Sequence, residues 1–497
     1  MRCKLLVLFI GALLSSPAPL LSAEDGVRDS VVRISVTQRA PNLWQPWTKN
    51  QPSESSGSGF VIEGRRILTN AHVVSYASQV YVQPNQSAEK LPAKIAFYAP
   101  AIDLAVLTLD DESFFEGRKA IPWSKTLPPV RSTVNVYGYP LGGEQMSVTE
   151  GIVSRVEYAQ YYELRTLGLR LQIDAALNPG NSGGPAVSNG QLIGVAFSSM
   201  SSAENVGYLI PVEEIEVFLE DVADGKYDGK PSIFDWTQTV ENEALRAKLG
   251  LSKGVGGVMI TSLEQNSDSY PLRVEDVIVA VGDHKIDGDG QTQVTTDLRL
   301  PFLYWVPKLT RKGKVPLTIV RSGKEIKLSV PVKTEAALVM PHLKGRYPSY
   351  FIYGPLVFSE ATIETASMLT DKWRKHLSAH GSPLPPRMTD PPAFPGERLV
   401  YVPAQMFSHP LTKGYASPML CVVSHVDGIS VRNLVHLVEL FRDGKGEYVE
   451  IRFAGRGNET MVFRRKELES ATDDVLTDNG IRKQYSDDLE KTWLSDK

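Results

Sequence analysis

Short runs rich in valine, isoleucine and tyrosine recur through the first part of the chain, separated by turn-forming residues: 31–36, 59–62, 79–82, 93–98, 105–109, 133–137, 147–156, 170–173, 191–198 and 207–211. This spacing predicts the strands of an all-β barrel or sandwich rather than alternating strand–helix units. At residues 213–223 the period changes, and Ile215, Phe218, Leu219 and Val222 fall on one face of a helix expected to close the unit. Beyond about residue 230 a second pattern begins, with a short helix at 241–249, the loop Gly254-Val255-Gly256-Gly257, and strands at 258–261, 276–281, 315–321 and 324–330. Between them, 298–309 carries Pro301 and Pro307 and cannot run as one regular helix. From residue 333 onward, strands are expected around Val357 and Tyr401 and at 420–423, 448–452 and 461–463. An amphipathic helix at 433–441 and a proline-rich insertion at 382–395 accompany them.

One stretch of the first unit breaks the strand pattern. Asn178-Pro179-Gly180-Asn181-Ser182-Gly183-Gly184-Pro185 reads as a tight turn in which glycines admit φ > 0 and leave no Cβ in the way of an approaching carbonyl. Pro179 stiffens its entry, and Pro185 is expected to stop regular structure. Such a turn presents the Ser182 hydroxyl beside the N–H groups of Gly180 and Ser182, two donors for a developing oxyanion. A plain turn has the same composition, so the partners of Ser182 decide.

A serine becomes a useful nucleophile when a base takes its proton and a third group orients that base. His72 is the only histidine before His284, so a base from the same unit is His72. It follows an apolar strand, a charged turn at 63–66 and a second apolar run, which deliver it at a strand end. The orienting carboxylate must be sheltered from water. Asp103, in Ala99-Pro100-Ala101-Ile102-Asp103-Leu104-Ala105-Val106-Leu107, is an isolated acid in an apolar run and is expected to be buried and therefore partnered. Asp110 and Asp111 fall in a charged turn, while Asp174 is placed to shape the serine loop.

With Thr-Asn-Ala-His72-Val-Val, Ile-Asp103-Leu-Ala-Val-Leu and Asn-Pro-Gly-Asn-Ser182-Gly-Gly-Pro-Ala in this order, the chain resembles the HtrA/Deg family of serine proteases. The resemblance implies a mainly β protein: a chymotrypsin-like double β-barrel of two six-stranded barrels with the triad in the cleft between them, followed by two PDZ-like α+β domains. It implies that a peptide adds to the strand after the glycine loop of the first PDZ domain, at Gly256, Gly257 and Val258, with loop N–H groups holding a terminal carboxylate. The stretches 345–352 and 356–358, with the tail around 480–482, resemble the plant-organelle branch, in which a degenerate second PDZ domain supports oligomerisation. Trp44 and Trp47 are candidates for contacts between copies, and the loops 39–55 and 198–205 for control of a distorted oxyanion hole.

Length changes this picture little: 497 residues suit about three domains. A net charge of −4 without a basic stripe gives no reason to expect nucleic acid as a partner, and no Gly-Lys-Ser/Thr phosphate loop calls for ATP. No cofactor or metal is expected, since the acidic run 283–290 lacks the register and closing glutamate of a calcium loop and reads as a polar turn. Residues 1–23 read as a secretory signal cleaved after Ala23, with an uncleaved anchor or organelle-targeting sequence as the alternative. Its apolar core is too short for an ordinary membrane span, so no stable span remains after cleavage. Cys3 would leave with it, and Cys421, between Leu420 and Val422, is expected as a buried filler.

The expected organisation is therefore a signal at 1–23, a protease domain at 24–230, a PDZ domain at 231–335, a degenerate PDZ-like domain at 336–470 and a charged tail at 471–497. The expected activity is ATP-independent endopeptidase cleavage of unfolded or damaged proteins in quality control, by a homo-oligomer, trimeric or larger, in the periplasm or outside the cell. Ile173, Ala175, Ala176, Gly194, Val195, Ala196 and Phe197 are expected to line the specificity pocket, which favours aliphatic P1 residues. The competing reading from another class is a chaperone or PDZ scaffold with a latent protease site. A non-peptidase serine hydrolase is disfavoured, because no Gly-x-Ser-x-Gly elbow sits among βα units.

Overall fold

The structure, a computed structural model, describes residues 23–140, 145–161, 165–199, 206–264 and 267–495. After helix α1 (Ala23–Ser30), strands β1 (Val31–Gln38), β2 (Ser53–Ile62), β3 (Arg66–Thr69), β4 (Ala77–Pro84), β5 (Leu91–Ala99) and β6 (Leu104–Leu109) close a barrel in the order β1-β2-β3-β6-β5-β4. A second closed barrel follows, built from β7 (Thr133–Gly138), β8 (Ser147–Gln160), β9 (Leu167–Ile173), β10 (Pro185–Ser188), β11 (Gln191–Ser199) and β12 (Gly207–Pro211) in the order β10-β11-β12-β9-β8-β7. Pro185 thus opens a strand instead of ending regular structure. The first position of a strand tolerates a missing N–H.

Strand alternation explains how the barrels meet. In β6, Ala105, Leu107 and Leu109 fill barrel 1, while Leu104 and Val106 point the other way into an apolar layer shared with Tyr137, Val187 and Val195 of barrel 2. Side chains on a strand alternate between faces, so β6 reads as continuously apolar because both its faces are covered. Helix α2 (Val212–Asp221) adds Ile215 and Phe218 to the same layer, as its spacing predicts.

The second unit contains β13 (Trp236–Thr239), α3 (Glu243–Leu249), β14 (Val258–Ser262), β15 (Val277–Val281), β16 (His284–Lys285), β17 (Gln291–Thr295), β18 (Leu298–Pro301), α4 (Trp305–Leu309), β19 (Lys314–Arg321) and β20 (Lys324–Pro331). Its main sheet runs β13-β14-β15-β19-β20, with β16 paired to β15. As Pro301 and Pro307 imply, 298–309 divides into β18, a 3₁₀ turn and the short α4. This segment docks on barrel 2: Leu300 and Tyr304 pack on Leu169, and the Tyr304 hydroxyl donates to Glu213 of α2 at 2.9 Å.

The third unit comprises β21 (Tyr350–Tyr353), β22 (Leu356–Glu360), α5 (Ile363–Ser367), α6 (Asp371–Ala379), β23 (Val400–Tyr401), β24 (Val423–Val426), β25 (Ile429–Ser430), α7 (Leu434–Asp443), β26 (Tyr448–Phe453), β27 (Met461–Arg464), α8 (Arg465–Asp478) and α9 (Glu490–Leu494). The boundary expected at 470/471 falls inside α8. Residues 471–495 are part of the core: Ala471, Val475, Ile481, Leu489 and Trp493 are buried. Charge on the outer face of α8 hid this apolar stripe. Cys421 is half-buried rather than a core filler, and its thiol donates to the Asn458 side-chain oxygen Oδ1 at 3.5 Å.

The loop between β1 and β2 straps barrel 1 to this third unit. Trp44 packs on the core around Leu338 and Tyr401. Trp47 meets Phe407 with ring centroids 5.4 Å apart, the Lys49 ammonium lies 4.1 Å from the Tyr347 ring centre, and the Tyr347 hydroxyl donates to the Arg39 carbonyl at 2.8 Å. Both tryptophans, half-buried, are therefore engaged within the chain. Of the second candidate control loop, 198–205, residues 200–205 lie outside the described residues. Trp44→Ala is expected to destabilise the chain by about 2 kcal/mol, roughly half the loss for a fully buried tryptophan. It should also speed proteolysis within 39–53; unchanged urea midpoint and cleavage rate would contradict the strap.

Candidate active site

Local geometry brings His72 and Asp103 together before any global argument is needed. His72 opens a 3₁₀ turn directly after β3. Asp103 caps another 3₁₀ turn, before β6, with φ 54°, a left-handed conformation that aspartate tolerates better than most residues. The carboxylate is 2% exposed and meets the histidine at two points: Oδ1 accepts from the His72 backbone N–H at 2.9 Å, and Oδ2 lies 2.8 Å from the ring Nδ1. The Asn70 amide donates to the Asp103 carbonyl at 2.9 Å. Two contacts on one carboxylate fix the orientation of the ring.

The electrostatics follow from that pairing. Burial disfavours the imidazolium, but the charge of Asp103 and its hydrogen bond outweigh it, so the His72 pKa lies above the ordinary 6.5. Because the folded-state value exceeds the unfolded one, the pair adds stability below about pH 6.5 that is lost as the pH rises through the His72 value.

Ser182 lies in the loop that leads from β9 into β10 of barrel 2. Its carbonyl accepts from the Ser58 N–H of β2 at 2.9 Å, and Gly57 lies against both that carbonyl and the Val73 methyls of the histidine turn. Gly183, at φ 86°, has no room for a side chain, since a Cβ would overlap the Ser58 carbonyl and the Thr69 hydroxyl. Gly180 sits at φ 102°, where L side chains are strained. Among the described residues, neither the Gly180 nor the Ser182 N–H donates to a protein acceptor.

The side chains of the expected pocket residues pack in different places. Ile173, Ala175 and Ala196 lie in the core of barrel 2, Val195 and Phe197 in the layer between barrels, and Gly194 faces the Ile210 carbonyl. Of the seven, Ala176 alone is exposed. The second-unit site is corrected as well: β14 is paired on both sides, Val258 opposite Thr239 of β13 and Ile278 of β15, and the Gly257 N–H donates to the Asp287 carbonyl at 2.9 Å. With both edges and the amide engaged, Gly256, Gly257 and Val258 do not offer a strand-addition site; the sheet ends on β13 beside β14 and on β20 at the other side. Residues missed in the sequence are Ser58, Thr69 and Asn70, all fully buried. Polar residues amid an apolar run and a Gly-Ser-Gly triplet were the available signal.

The chain is similar to known proteins in both its protease and its PDZ regions. The trypsin-like peptidase domain family matches residues 57–195, and the PDZ domain family matches residues 339–488. The chain is 34% identical over 84% of its length, and 78% of the relative's, to Protease Do-like 4, mitochondrial, of Arabidopsis thaliana. It belongs to the HtrA/Deg, or Do-like, family of serine proteases. Protease Do-like 2, chloroplastic, of the same plant is also 34% identical, over 94% of this chain and 76% of the relative. A solved HtrA-type protease, AlgW with decapeptide, is 22% identical with a TM-score of 0.48, covering 63% of this chain and 99% of that one. The plant-organelle branch is thus among the relatives of this Deg-type serine peptidase. None of the described helices is long and apolar enough to cross a membrane.

The His72 ring is expected to titrate with a midpoint above 6.5 by NMR, and Asp103→Asn to bring it down, since the opposing charge is gone and burial remains. A midpoint that does not fall would show that Asp103 does not set it.

Proposed function

We propose that this Deg-type peptidase cleaves unfolded or damaged polypeptides without ATP, with Ser182 as nucleophile, His72 as its base and Asp103 as the group that orients the base. The two-point contact between Asp103 and His72 carries the reading. It leaves Nε2 as the ring nitrogen that takes the Ser182 proton when Oγ adds to the scissile carbonyl. The proton then passes from His72 to the leaving amine, and water repeats the sequence on the acyl-enzyme. The N–H groups of Gly180 and Ser182 hold the oxyanion, a role supported by their lack of partners among the described residues. Asp174 accepts from the Ile152 N–H at 2.6 Å, which supports its assignment to loop shape and an aliphatic P1 preference.

Assembly into a trimer or larger homo-oligomer, and capture of peptide C-termini by the second unit, belong to the same reading; the open β13 edge is where a strand would add. The relatives named mitochondrial and chloroplastic favour the organelle-targeting alternative for residues 1–23 over periplasmic secretion. Residues 1–22 lie outside the described residues.

Ser182→Ala is expected to lower casein degradation by about 10⁶-fold, measured by fluorescent peptide release. Degradation equal to the wild type would remove the proteolytic reading. Suppression of aggregation retained in Ser182→Ala would add the chaperone activity. Cleavage-site mapping is expected to give aliphatic P1 residues, and a predominance of Arg or Lys would overturn that preference.

A further inference from the structure

One fully buried hydroxyl joins both barrels to the serine loop. Ser58, at 0% exposure, donates from Oγ to the Gly180 carbonyl at 2.7 Å, and the same oxygen accepts from the Tyr139 N–H of barrel 2 at 2.9 Å. Its backbone N–H donates to the Ser182 carbonyl at 2.9 Å, and its carbonyl accepts from the Thr69 hydroxyl at 2.7 Å. One residue of barrel 1 therefore grips the serine loop on both sides of Asn181.

That loop needs an external hold. Asn181 is 1% exposed, and neither atom of its side-chain amide has a hydrogen-bond partner among the described residues, so its side chain does not favour the buried conformation. Gly180 has no side chain to restrict rotation about φ. With the Gly180 and Ser182 carbonyls both fixed, the remaining freedom is rotation of the Pro179–Gly180 peptide, whose N–H is one of the two oxyanion donors of the proposed mechanism.

We propose that Ser58 is a positioning residue for the oxyanion hole: by anchoring the Gly180 carbonyl it fixes one side of the peptide hinge and holds the Gly180 N–H where the oxyanion forms. Ser58 touches neither substrate nor the reacting atoms. The inference rests on the reading of Ser182 as nucleophile.

The test uses the full-length chain and three measurements: kcat/KM on an aliphatic-P1 peptide, affinity for the matching peptide trifluoromethyl ketone, and affinity for the uncleaved peptide in a Ser182→Ala background. The ketone accepts Ser182 Oγ at its carbonyl carbon and holds the resulting oxyanion in the hole, while the Ser182 proton moves to His72. Ser58→Ala is expected to lower kcat/KM and ketone affinity together by about 10- to 100-fold, less than the loss of a direct oxyanion donor. Peptide affinity in the Ser182→Ala background should stay within about twofold, because ground-state binding makes no use of the hole. A Ser58→Ala enzyme within about threefold of wild type, beside an inactive Ser182→Ala, overturns the proposal and leaves the nucleophile assignment standing. An equal fall in peptide and ketone affinities overturns it in favour of a merely structural role. An active Ser182→Ala removes the underlying reading instead. If near-UV circular dichroism shows that Ser58→Ala does not fold, Ser58→Cys, a weaker donor of similar size, is expected to give the same split at about tenfold, and absence of the split overturns the proposal.

Discussion

Leu104 and Val106 leave barrel 1 on the face of β6 opposite its own core and enter one apolar layer with Tyr137, Val187 and Val195 of barrel 2. Water is excluded there, and Asp103 immediately precedes Leu104. A carboxylate taken out of water costs several kcal/mol unless it is paired and hydrogen-bonded. The backbone and ring N–H groups of His72 supply that compensation. Barrel packing and the orientation of the histidine are thus parts of one constraint: if the layer opened, water would compete for the Asp103 oxygens and the two-point contact would lose its advantage.

The same layer sets the relation of Ser182 to His72, because the two come from different barrels. Their separation is not bridged by local sequence but by the β2 segment around Ser58, which hydrogen-bonds the serine loop and packs on the histidine turn. A second tie runs the other way. Gln38, at the end of β1, donates to the Val73 carbonyl at 3.2 Å, and the loop that follows carries Trp44 and Trp47 into the third unit. The histidine turn therefore lies one residue contact away from the strap that holds the PDZ-family unit against the protease.

Much of this was legible in the linear sequence because it depends on local rules. Strand alternation, the helical period at α2 and the two prolines of 298–309 each act within a few residues, and the barrel strands other than β10 appear where those patterns place them. The pairing of His72 with Asp103 was legible for a different reason: an acid in an apolar run and a single histidine are each chemically out of place, as is the glycine-built turn that singles out Ser182. Where the reading failed, it treated distant relations as local ones. The peptide site was assigned to β14, although β13, reached through α3, folds back onto its open edge. Residues 471–497 were taken as a tail, although the inner face of α8 completes the third core.

By itself, then, the sequence determined most of the strands, the order of the three chemical groups and the family, since these rest on periodicity and residue chemistry. Only the tertiary structure decided which edge of a sheet stays open, which face of each strand is buried, and that Ser58 spans both sides of the serine loop. Those are properties of groups brought together from opposite barrels or distant segments. No spacing along the chain encodes them.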